Sequence, residues 1–167
     1  MTGSRNAAEF VDNAIAFAGG VAAAASLPAA ANRINLKQTG SGTFTGLADE
    51  SYDAIRASNT DVAAIAKNTG IKPANIQKVK EHVFENEHLL DRYIDYGIPA
   101  QRMRFDSDLT QGNAWLRLEN GTHTVDDIRW MKHETAERWY ELKYNSGYSA
   151  AHNAADKRWP GNPWGGE

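Results

Sequence analysis

The chain has 167 residues, a formal net charge of −3 and no cysteine, with 41% hydrophobic and 10% aromatic residues. That is enough apolar material for one packed domain plus an extra segment. The lack of cysteine excludes disulfide frameworks, cysteine-ligated metal centres and a cysteine nucleophile, and the slight acidic excess weighs against a duplex-DNA binder, which depends on a basic surplus for its phosphate contacts.

The start, "MTGSRNAAEF", lacks the basic stretch followed by an apolar core that marks a secretory signal. Residues 15–31, "IAFAGGVAAAASLPAAA", are apolar but mostly alanine and contain Gly19, Gly20 and Pro28. A membrane-spanning helix needs about 20 strongly apolar residues, so a small-residue packing helix or a leader is expected here. "QTGSGTFTGLADES" then reads as a linker. The composition shift places a boundary at about residue 50, between an alanine-rich helical extension (1–49) and a mainly α, compact domain of about five helices (50–167), for which no stable membrane insertion is expected.

Within that domain Thr60 is positioned to cap a helix over 61–68 that stops at Gly70. Pro73 opens a second helix, expected to run to about residue 96 before Gly97 and Pro99, with Ile76, Val79, Val83, Leu90 and Ile94 on one face. Helix, glycine turn and helix together outline a helix-turn-helix DNA reader. Between Thr60 and Arg92, however, five basic residues are balanced by five acidic ones. A short strand is expected near 102–105, then a helix over 109–118 capped by Asp108. Thr124 with Asp127 forms a capping box for a helix reaching about Lys143, and a last helix covers 149–158.

Four groups of residues carry chemistry. On the long helix His133 and Glu137 are four apart and share a face, flanked by Trp130 and Tyr140, with Glu134 at the edge. The opposite face, Ile128, Met131, Thr135, Trp139 and Leu142, is expected to be the buried one. The motif is His-Glu-x-x-Glu, whereas zinc peptidases carry His-Glu-x-x-His; a carboxylate can replace the second histidine as ligand. The second helix offers His82, Glu85 and His88, and a histidine beside a carboxylate serves as acid or base near neutrality. In "RMRFDSD", Arg102 and Arg104 suit phosphate binding, next to Asp106. In "YSAAHNAADKRW", Tyr148, His152 and Asp156 share a face, followed by Arg158 and Trp159, a pairing that suits base stacking and phosphate contact.

The order "HVF" (82–84), "EH" (87–88), "RFD" (104–106), "AWxRLxNGTH" (114–123), "KHExxE" (132–137) and "YSAAHxAA…WxGNPW" (148–164) resembles C-terminal toxin modules of bacterial polymorphic toxins, including contact-dependent growth-inhibition effectors. Similar modules are appended to phage minor head proteins. The resemblance covers about 52–164, and the matching positions are His82, His88, Arg104, Asp106, Trp115, His133, Glu134, Glu137, Tyr148 and His152. It implies an effector that is secreted or displayed at the cell surface and acts in the target-cell cytoplasm. It also implies a cognate immunity protein and, for residues 7–31, a pretoxin or cell-entry segment.

The expected activity is a nuclease acting on RNA by acid–base chemistry, with no cofactor required and a divalent metal as an option. His133 serves as one proton-transfer group and His82 or His88 as the other. Glu137 orients a histidine, with Glu134 and His152 nearby, and Arg104, Asp106, Trp130, Tyr148 and Arg158 bind substrate. Three alternatives stand beside it: a metal-dependent hydrolase using His133, Glu137 and another histidine as ligands, a toxin that cleaves a nucleotide cofactor, and the DNA-binding module.

Overall fold

The computed structural model describes Thr39 and residues 46–165. The expected alanine-rich extension therefore lies outside the described residues, apart from Thr39 and the start of the first helix. Among the described residues there are six α-helices: α1 (Gly46–Ala57), α2 (Asp61–Thr69), α3 (Pro73–Lys80), α4 (Leu109–Asn120), α5 (Val125–Tyr144) and α6 (Tyr148–Asp156). The fold is mainly α, as the patterning predicts, with one helix more than the five expected. α1 runs across the position where the composition shift places the boundary.

Several helix ends follow from local chemistry. Gly70 takes the left-handed conformation after α2 (φ 74°), and Pro73 opens α3. The Asp108 carboxylate accepts hydrogen bonds from the amides of Thr110 and Gln111, and Thr124 and Asp127 form the reciprocal capping box at α5. Thr60 does not cap α2. Its backbone is helical (φ −114°, ψ −20°), not extended as a cap residue requires. Ser58 Oγ takes over, accepting from the Thr60 and Asp61 amides at 3.4 and 3.3 Å.

The second helix does not continue to residue 96. α3 ends at Lys80 and passes into one π-helical turn, Glu81–Glu85, closed by the Asn86 amide donating to the Glu81 carbonyl at 2.7 Å. The wider turn brings His82, Val83 and Phe84 inward together, and all three are buried. Then comes a strand, β1 (His88–Leu90), paired antiparallel with β2 (Gln101–Met103) so that His88 lies opposite Met103. β2 overlaps the strand expected near 102–105.

The apolar core joins α1 to α5 around Tyr52, Phe84, Trp115 and Trp130. Phe84 meets Tyr52 and Trp115 edge-on, with ring centroids 4.7 and 5.2 Å apart. Within it lies a buried ion pair. Lys80 Nζ sits 2.9 Å from Asp61 Oδ2, Trp115 Nε1 donates to the same oxygen at 2.9 Å, and Lys80 also donates to the Ser58 carbonyl at 2.6 Å. The network ties α2, α3 and α4 together.

α5 is rotated relative to the expected orientation. Trp139 and Leu142, assigned to its buried face, are 54% and 67% exposed. The inward stripe is Asp127, Trp130, Met131, His133, Glu134 and Glu137. A polar stripe can face inward because neighbouring elements supply its hydrogen-bond partners.

Removing one member of a buried ion pair strands the other. Asp61→Ala is expected to destabilise the chain by about 3–5 kcal/mol in urea unfolding, whereas Asp126→Ala, which breaks a partly exposed pair with Arg129, is expected to cost less than about 1 kcal/mol. Similar small effects for both would show that the Asp61 network does not hold the helices together.

Candidate active site

The inward stripe of α5 meets α6, the π turn and the C-terminal tail. Glu137 is 1% exposed and lies at the centre. Its Oε2 is 2.9 Å from His152 Nδ1 on α6 and 3.1 Å from His133 Nε2, and those two nitrogens are 3.1 Å from each other. Its Oε1 lies 3.3 Å from His82 Nε2, and Glu134 Oε2 is 3.7 Å from that same nitrogen. His82 Nε2 and Glu137 Oε1 are not aligned as a hydrogen bond, and each is buried with no hydrogen-bond partner among the described residues. His88 extends the cluster: its Nε2 faces the His82 carbonyl and its Nδ1 faces Glu141 Oε2, both at 2.8 Å. Phe105 stacks on the His88 ring with centroids 3.9 Å apart.

The tail fixes His133. The Trp159 carbonyl lies 2.6 Å from His133 Nδ1. A carbonyl only accepts, so Nδ1 carries hydrogen and Nε2 is turned toward Glu137 and His152. Gly161 passes so close that a Cβ there would lie 2.7 Å from His152 Cε1 and 3.0 Å from His133 Cε1. Further along, Trp164 Nε1 donates to Asp127 Oδ1 at 2.8 Å, and Arg117 also pairs with Asp127.

The charges follow from these contacts. Burial works to push the His133 pKa down, but the hydrogen bond to Glu137 and the charges of Glu134 and Glu137 outweigh it and hold it up at about 9. Burial and the neighbouring Glu137 charge raise Glu134 to about 8. Glu137 is also buried, yet the hydrogen bonds from His133 and His152 keep it well below the usual carboxylate range. Burial lowers His82 despite its proximity to Glu137, and burial with the Glu137 charge pushes the Tyr148 hydroxyl far up.

A cavity of about 270 Å³ reaches this cluster, walled by Glu134, Glu137, His152, Tyr148, Arg92 and Phe105 among others. His152 is the histidine on its wall. Thr39 also lines it, held by the Asp106 amide donating to Thr39 Oγ1 at 2.8 Å. A larger surface hollow of about 400 Å³, between Lys78, Arg138, Trp139 and Lys143, contains none of the histidines.

The fold thus brings together His82, His88, His133, Glu134, Glu137, His152 and Tyr148. It places the other candidates elsewhere. Trp130 is fully buried in the apolar core and Asp106 holds Thr39. Arg104 is exposed and outside the cavity wall, as is Arg158, which lies over the Trp159 ring. Glu85 is exposed. Glu141 escaped the sequence reading although it continues the Glu134–Glu137 stripe. The Trp159 carbonyl and Gly161 escaped it because neither contributes a side-chain functional group.

Among the described residues, three sets of side chains have a metal ligand's chemistry and spacing: His133, Glu137 and His152; His82, Glu134 and Glu137; and His82, His88 and Glu141. The first fits best. A tetrahedral ion with bonds of about 2.0–2.1 Å holds its ligand atoms roughly 3.3 Å apart, so three atoms now 2.9–3.1 Å apart need open only slightly. The Trp159 carbonyl on His133 Nδ1 is the outer contact that orients metal-binding histidines.

No family model matches the chain, and no curated protein or solved structure matches it significantly. No helix among the described residues is long and apolar enough to cross a membrane.

The raised pKa values give a pH signature for the cation-free chain. His133 binds its proton more tightly folded than unfolded, so its contribution is complete below about 6.5 and is lost as pH rises through about 9. Glu134, raised from 4.5 to about 8, acts in the same direction. In chelator, the melting midpoint is expected to fall by roughly 5 °C or more between pH 6.5 and 9, measured by scanning fluorimetry. A flat or rising midpoint would show that the cluster does not hold these protons.

Proposed function

We propose that the chain is a metal-dependent hydrolase in which His133 Nε2, His152 Nδ1 and Glu137 Oε2 hold a divalent cation. One observation carries this reading: these three atoms lie within 3.1 Å of one another beside a cavity, with His133 pinned from behind by a carbonyl. A cation bound there supplies a water acidic enough to attack near neutral pH. The chain's own groups do the rest. Glu137 carries negative charge toward the ligand position, and Trp159 keeps the His133 lone pair facing it. Tyr148, protonated throughout the working range, offers a hydrogen bond to charge developing on the substrate. Arg92, on the cavity wall, is placed to meet an anionic group.

The expected substrate is an RNA phosphodiester, in keeping with the resemblance to toxin modules. In that setting the chain is the active part of a delivered effector, and an immunity protein neutralises it by covering the cavity mouth. Acid–base cleavage without metal has less support. It needs an acid and a base on opposite sides of the scissile phosphate, but the His133 and His152 rings are in contact, with centroids 4.7 Å apart, and His82 and His88 are buried. A DNA-reading role has less support too, since the eight-residue α3 buries Ile76, Val79 and Lys80.

Total tRNA is the first substrate to test. Cleavage is expected to stop in EDTA and return with Zn²⁺ or Mn²⁺. Glu137→Gln and His152→Ala are expected to lose at least about 100-fold in rate, and Tyr148→Phe roughly 10²–10³-fold in kcat if its hydroxyl meets transition-state charge. Cleavage that persists unchanged in EDTA would contradict the metal reading.

A further inference from the structure

We infer that the same cluster holds a second divalent cation, on His82 Nε2, Glu134 Oε2 and Glu137 Oε1, so that Glu137 bridges two ions and the substrate is a phosphodiester. This rests on the hydrolase reading above.

Three observations lead there. First, His82 Nε2 and Glu137 Oε1 lie 3.3 Å apart without the alignment of a hydrogen bond, both buried and both without a hydrogen-bond partner among the described residues. Buried polar atoms are normally partnered, and a pair left open marks a place where something else binds. Second, the spacing suits an ion. The separations of 3.3 Å to Glu137 and 3.7 Å to Glu134 are close to the roughly 3.0–3.5 Å between neighbouring ligands of a small divalent cation. Third, the His82 ring is held in place. Edge-on contacts with His88 and Phe105, at 4.6 and 5.3 Å between centroids, fix its plane, and Glu141 Oε2 lies 3.9 Å from its Nδ1. The two oxygens of Glu137 therefore serve two separate ligand sets, one on α6 and α5, the other on α5 and the π turn.

Two ions sharing one carboxylate stabilise both the attacking and the departing oxygen of an in-line displacement at phosphorus. In the balanced step the oxygen of one water bonds to phosphorus and the P–O ester bond breaks. The ester oxygen leaves with the bonding electrons and takes up a proton, while the water loses one to solvent. One phosphomonoester and one hydroxyl are formed. Glu134 stands on the cavity wall, so the second ion faces the same space as the first.

Titrating the metal-stripped chain with Mn²⁺ tests this. Two ions per chain are expected, with a spin-coupled electron paramagnetic resonance signal growing at the second equivalent. Hydrolysis of bis(4-nitrophenyl) phosphate is expected to rise at least tenfold over that same equivalent. Glu134→Gln, nearly isosteric, and His82→Ala are each expected to bind one ion. If His82→Ala does not fold, Glu134→Gln and the wild-type coupling still decide. One ion per wild-type chain, two uncoupled ions, or two ions retained in Glu134→Gln would overturn the second site and leave the hydrolase reading standing. No bound ion would overturn both. Two coupled ions with no phosphodiester cleavage would overturn the substrate class.

Discussion

Glu137 is a carboxylate almost sealed from water and surrounded by the nitrogens of His82, His133 and His152. Burying an ionised carboxylate without partners costs several kcal/mol or more, so the surrounding elements must be in register for the domain to tolerate it. α5 presents Glu137 and His133 four residues apart, α6 brings His152 to the same oxygen, and the π turn brings His82 to the other. The tail then closes over His133 through the Trp159 carbonyl. Each contact is a hydrogen bond or close polar approach to a group that would otherwise be stranded.

The rest of the fold holds those elements still. The Asp61–Lys80–Trp115 network fixes α3 just before the π turn, which sets where His82 emerges. Asp127 receives Arg117 from α4 and Trp164 from the tail, which anchors the segment carrying Trp159 and Gly161. The close approach of Gly161 leaves no room for a side chain against His133 and His152. Among the described residues there are thus two buried polar centres, around Asp61 and around Glu137, besides the Asp127 contacts, with the apolar core packed around Tyr52, Phe84 and Trp115. One centre is saturated with partners. The other is left, among the described residues, with His82 Nε2, Glu137 Oε1 and Glu141 Oε1 open.

Much of the helical framework was legible in the sequence because its ends are written in single residues: Gly70, Pro73, Asp108 and Thr124 act through local backbone geometry. The pairing of His133 with Glu137 was legible for the same reason, since spacing on one helix is a local property. The end of α3 was not. A change from i+4 to i+5 hydrogen bonding at Glu81–Glu85 is decided by what His82, Val83 and Phe84 meet in three dimensions. The rotation of α5 was misread because hydropathy ranks Trp139 and Leu142 above His133 and Glu137, while the fold supplies partners for the polar set. Arg104 and Arg158 looked like phosphate ligands by residue type, and the chain path leaves both on the surface.

Protons and metal ions compete for the same atoms in this cluster. With His133 Nδ1 committed to a carbonyl, the gap between His133 Nε2, His152 Nδ1 and Glu137 Oε2 is bridged either by a proton or by a cation. Diffraction at the zinc absorption edge from crystals grown with zinc near pH 7.5 separates the two most directly. Cation binding predicts an anomalous peak about 2.0–2.2 Å from each of those three atoms. A cluster without such a peak, with His133 Nε2 donating its hydrogen to Glu137, would contradict it.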